Sequence, residues 1–138
     1  EQLRAVLAGD VALYGEWLFL THTVAYDRLP SYLVALDLWR TDIGFLSVEH
    51  RDTVCAESGL TTPPRLWQGI ARDIGAVERL LGPSAWGPAR MEGLVVRSLE
   101  RPDLRAKLLT TAFVRIDDDD WRGGRPRNRL ADEAASWR

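Results

Sequence analysis

The apolar stretches of this chain come in short runs closed by glycine or proline, and that punctuation restricts it to a small, strand-rich fold. "VALYGEWLFL" (11–20), "SYLVALDLW" (31–39), "GFLSV" (44–48) and the runs over 92–97 and 104–109 have strand length and strand composition. Gly15 interrupts the first, "DRLP" (27–30) turns into the second, and "RTDI" joins the second to the third as a hairpin. Helical signals are fewer. Residues 2–8 read as a helix tail ended by Gly9, and Ser47 is placed to cap a helix over about 48–58 that Gly59 stops. Ile70, Ile74, Val77, Leu80 and Leu81 recur at helical spacing before Gly82-Pro83, which predicts a helix over 70–81. "TTPPRLWQG" (61–69) and "PSAWGPAR" (83–90) read as loops, 98–103 as a polar turn, and a further helix is expected to begin near Thr111. Strands outnumber helices and do not alternate with them. The expected fold class is α+β, a mainly antiparallel sheet with flanking helices.

A length of 138 residues suits one domain with one modest core. No apolar run reaches the roughly 20 residues that a membrane-spanning helix needs, and no basic-then-apolar leader opens the chain. The single cysteine, Cys55, excludes an internal disulfide and fits a reducing, cytoplasmic location. The chain opens at Glu1 rather than Met, so a fragment or processed product is expected. A formal net charge of −2 gives no overall basic footprint for nucleic acid, so any such contact has to be local. Lys107 is the only lysine among 18 basic residues. A compact ammonium kept where every other cation is a planar guanidinium marks it as a candidate phosphate contact.

Three strands carry polar groups that a buried strand does not want. In the first, alternation puts Tyr14, Glu16 and Leu18 on one side and Leu13, Gly15 and Trp17 on the other. Glu92 and Gly93 open the strand "EGLVVR", where a glycine costs entropy and a carboxylate risks burial without a partner. Arg105 and Lys107 share a face of the last strand. Two carboxylates and two cations on neighbouring strands suit a phosphate and its divalent metal, because hard ions take carboxylate and phosphate oxygens.

The order of these segments resembles the RNA ligase family of covalent nucleotidyltransferases, a superfamily shared with DNA ligases and mRNA-capping guanylyltransferases. Tyr14-Gly15-Glu16 is similar to its motif III, Leu36-Asp37-Leu38 loosely to motif IIIa, Glu92-Gly93-Leu94-Val95 to motif IV, and Arg105-Ala106-Lys107 to motif V. The resemblance covers about residues 11–115. It implies a nucleotidyltransferase (adenylation) domain of the ATP-grasp-like ligase and capping-enzyme type, acting with ATP and Mg²⁺ (or Mn²⁺). Its partners would be RNA ends, a 5′-phosphate and a 3′-hydroxyl, with no membrane. Carried over by position, Glu16 would bind the ribose, Leu36 would pack on the base and Glu92 would hold the metal. Arg105 and Lys107 would contact the α-phosphate, with Glu92 and Lys107 catalytic, and Gly93 would let the strand pass close to the nucleotide. Arg105→Lys would restore the family's own residue and be nearly neutral.

Two departures stand out. The family stacks the base on an aromatic where this chain has Leu36. The nucleophilic lysine of the Lys-x-Asp-Gly motif, which precedes motif III, has no counterpart before Lys107. The expectation is a partial nucleotidyltransferase domain over 1–138 lacking that segment, with 116–138 as its polar C-terminal tail. An ATP-dependent DNA ligase and a degenerate, non-catalytic module binding nucleotide or RNA ends are the alternatives.

The remaining candidates read as structural. His22 and His50 lack metal-ligand spacing, and Cys55 lacks a basic motif that would make it a nucleophile. The six tryptophans read as core and rim, with Trp39 and Trp67 the best placed to stack on RNA. "DDDD" (117–120) reads as a solvated face, and the arginines at 122, 125, 127 and 129 as a surface tail rather than an RNA contact.

Overall fold

A computed structural model describes residues 2–7, 9–111 and 124–132. The expected helix beyond Thr111, the acidic run 117–120 and Arg122 lie outside them. The chain divides into two compact units. The first comprises Glu1–Trp17, Leu33–Pro63 and Val96–Ala106, and the second Leu18–Tyr32, Pro64–Val95 and Lys107–Arg138.

The first unit is built on β1 (Val11–Trp17), β2 (Leu33–Arg40) and β3 (Gly44–Phe45), paired in that order and antiparallel throughout. Helix α1 (Gln2–Val6) precedes β1, and α2 (Val48–Glu57) follows β3. The predicted cap of α2 is present, with Ser47 Oγ accepting from the His50 amide at 3.2 Å. Gly59, at φ 68°, then ends the helix in the left-handed conformation that glycine adopts without steric cost. Val6, Ala35, Leu38, Leu46 and Cys55 are buried together, with Val11, Leu13, Val54 and Leu60 packed around them. Burial pushes the Cys55 thiol up, as suits a packed side chain rather than a nucleophile.

The pairing of β1 with β2 is interrupted once, on the side of β2. Tyr14 faces Asp37 but Gly15 faces Ala35, so β2 carries one extra residue, Leu36, opposite the step from Tyr14 to Gly15. A Cβ at Gly15 would lie 2.8 Å from the Val34 carbonyl oxygen, so glycine lets the strands close again beyond the bulge.

In the second unit residues 18–21 bond to Tyr32 and to the segment 126–128. The Leu18 amide donates to the Tyr32 carbonyl at 2.7 Å, the Asn128 amide to Phe19 at 3.0 Å and the Thr21 amide to Pro126 at 2.9 Å. The strand predicted to reach residue 20 therefore ends as a regular element at Trp17. Helix α3 is confined to Ile74–Glu78, shorter than the predicted 70–81. Asp73 caps it by accepting from the Ala76 amide at 2.8 Å, and Ile70 is 96% exposed, so the apolar period has no core to face at its start. Strands β4 (Gly93–Arg97) and β5 (Arg105–Leu109), whose residues divide between the two units, form a separate two-stranded sheet. The Ser98 amide donates to Leu104 and the Thr110 amide to Glu92, a pairing that only antiparallel strands produce.

Candidate functional site

Glu92 sits one residue before β4 and Lys107 at the centre of β5, both in the second unit. The Thr110 amide donates to the Glu92 carbonyl at 2.9 Å, which fixes the carboxylate at the mouth of the hairpin. From there Lys107 Nζ donates to Glu92 Oε1 at 2.6 Å. The ammonium is about half exposed and the carboxylate about a quarter, so solvent screens the pair and it contributes little to stability. What the hairpin provides is a fixed carboxylate and an accessible ammonium on adjacent strands. Gly93 has a reason of its own in this hairpin. A Cβ there would overlap the Leu108 carbonyl oxygen and lie 3.0 Å from Leu109 Cα, so the close approach is made by the neighbouring backbone of β5.

In the first unit a second cluster forms around Asp37. Arg97 Nε and Nη2 bind its two carboxylate oxygens at 2.9 and 3.0 Å, and Arg105 Nη1 donates to Oδ2 at 2.9 Å. The Arg97 and Asp37 side chains are only 13% and 15% exposed, which makes this a largely desolvated, bidentate pair. The bulge explains how a third group joins. The Leu36 carbonyl accepts from Arg97 Nη2 at 3.1 Å and from Arg51 Nη1. Arg51, buried on α2, also places its Nε 2.7 Å from Asp52 Oδ1, an ion pair rather than a well-directed hydrogen bond. Arg105 further lays its guanidinium 3.2 Å from the centroid of the Phe45 ring, which Tyr14 meets at 5.4 Å between centroids. Arg105, expected as a phosphate contact, thus donates through Nη1 to Asp37 and lies over Phe45 within this unit.

Glu16 is exposed on β1 opposite Val34, and Leu36 is half-buried at the bulge. The sequence reading missed Arg51, Arg97 and the anchoring role of Asp37. Its one available signal was an arginine ending the apolar strand "EGLVVR".

Among the described residues no three His, Cys, Asp or Glu side chains cluster so as to hold a metal ion. Mg²⁺ is commonly held by one or two carboxylates plus substrate phosphates and water. The single carboxylate of Glu92 fits an ion that arrives with a nucleotide rather than one held in an all-protein cage.

The described residues form antiparallel α+β units, with a carboxylate and an ammonium paired across a hairpin. A family model described as RNA ligase matches residues 1–109. The chain belongs to the RNA ligase family, and an RNA ligase type of function follows from that membership. No curated protein and no solved structure matches it. No helix among the described residues is long and apolar enough to cross a membrane.

Proposed function

We propose that this chain is part of the adenylation domain of an ATP-dependent RNA ligase that joins 3′-hydroxyl to 5′-phosphate ends in RNA repair or processing. The observation that carries the reading is the Lys107–Glu92 pair at 2.6 Å, on the segments similar to motifs V and IV, in a chain of this family. A lysine amine attacks the α-phosphorus of ATP. A P–N bond forms, the bond to the β-phosphate oxygen breaks, and pyrophosphate leaves as the amine loses its proton. The 5′-phosphate of RNA then takes AMP and frees the lysine, and a 3′-hydroxyl displaces AMP to close the phosphodiester. Lys107 is assigned to the α-phosphate, where its ammonium offsets the charge that develops in both transfers. Glu92 is assigned to Mg²⁺, which lowers the barrier by neutralising phosphate oxygens when bound. Glu16 and Leu36 are assigned to ribose and base by resemblance. On this assignment Lys107, the only lysine of these 138 residues, is not the amine that carries AMP.

The test is single-turnover formation of a lysine–AMP adduct from labelled ATP by the full-length protein. Glu92→Ala and Lys107→Ala are expected to slow it by on the order of 10²-fold, with Lys107→Arg recovering only part because the planar fork does not replace a point charge. Unchanged rates in Lys107→Ala overturn the assignment, and so does an adduct mapped to Lys107 itself.

A further inference from the structure

The segment after the family match carries an alternation of its own. Asn128 and Leu130 are 2% and 7% exposed, while Arg127 and Arg129 between and beside them are exposed. Asn128 explains the rigidity of this arrangement. Its Oδ1 accepts from Thr21 Oγ1 at 3.0 Å and from the Tyr26 amide at 2.9 Å. Its Nδ2 donates to the Leu18 and Leu20 carbonyls at 2.9 and 3.1 Å. Leu20 bridges antiparallel to Arg127, and Leu29 parallel to Leu130. Residues 125–130 are therefore held as an extended segment along 18–32 and do not trail away as a surface tail.

The extended segment turns Arg127 and Arg129 outward together, two residues and so about 6.6–6.8 Å apart along the strand. Among the described residues neither has a carboxylate partner. Arg127 stacks its guanidinium 4.7 Å from the centroid of Phe19, and Phe19 is braced edge-on by Tyr32 at 5.1 Å. A guanidinium held over an aromatic ring through its carbon retains N–H groups for contact with phosphate oxygens. Two outward guanidiniums at this spacing suit successive phosphates of an extended polynucleotide.

We propose that Arg127 and Arg129, presented by the Asn128-anchored segment, form a subsite for the phosphate backbone of single-stranded RNA. The inference rests on the RNA ligase reading for the identity of the ligand. It is tested by the affinity of the full-length protein for a short 5′-phosphorylated single-stranded RNA, without ATP, across a range of salt concentrations. Removing two phosphate contacts is expected to lower the slope of log K against log salt by about 1.4 in R127A/R129A and to weaken low-salt binding by on the order of tenfold. R127K/R129K is expected to restore most of the slope, because counterion release depends on charge. A double alanine variant with the wild-type slope overturns the proposal, as does wild-type protein that binds poly-glutamate as tightly as the RNA. Adduct formation is measured separately. Wild-type protein that binds RNA through these arginines yet forms no adduct defeats the ligase reading alone. Wild-type protein that forms the adduct while the double variant keeps its slope defeats the subsite alone.

Discussion

Arg105 shows how one side chain can match a motif and still be committed to the fold. It donates to Asp37 and lies over Phe45, and the second contact uses a flat cationic face that lysine lacks. The exchange Arg105→Lys, nearly neutral for activity by analogy with the family, is therefore expected to cost on the order of 1 kcal/mol of stability. Asp37→Ala is expected to cost about 3 kcal/mol, because it leaves Arg97 largely buried and without its partner. Urea denaturation of the two variants gives the order, and an Asp37→Ala protein as stable as wild type would contradict the anchoring role. Lys107 differs at this same scale. Its half-exposed pair with Glu92 contributes little to stability, so on the proposed assignment Lys107→Ala is expected to change activity more than stability.

At the scale of elements, the legible parts were those whose signals are local. The Ser47 cap, the Gly59 stop and the apolar runs of β2 and β5 each depend on residues within one or two turns. The bulge at Leu36 was not legible, because it is held by Arg51 and Arg97, 15 and 61 residues away. Helix α3 was overextended for a related reason. Periodicity places Ile70 on an apolar face, but it cannot say whether a core exists for that face to meet. Gly93 was legible as a close approach, and the partner it approaches required the structure. Gly93→Ala is expected to destabilise the hairpin by on the order of 2–3 kcal/mol, since the methyl meets the backbone of β5 and not a side chain that can move. Amide exchange at Thr110 measures it directly, as that amide bonds the residue preceding Gly93.

At the scale of the whole molecule, the class was legible and the closure of the second unit was not. Antiparallel strands with few helices follow from punctuation and composition. Nothing local marks Asn128, whose side-chain partners lie 102 to 110 residues earlier. Asn128→Ala is expected to cost on the order of 3 kcal/mol, because it strands two carbonyls and an amide that are partly or fully buried. Thermal melts with amide exchange at Tyr26 give the size and the location of the loss. Full protection of that amide in the variant would show that the segment is held by other means.

That long-range closure also sets an order of events during synthesis. A ribosome adding about 5–20 residues per second releases residues 18–32 several seconds before Asn128 exists. Through that interval the Leu18 and Leu20 carbonyls and the Tyr26 amide have only water or a chaperone to bond. Among the described residues, the apolar cluster around Ala35, Leu38 and Cys55 is drawn from positions 6–60, with Arg97 and Arg105 joining the same unit later. One unit can thus begin to consolidate while its neighbour waits for nearly the last of these residues to emerge.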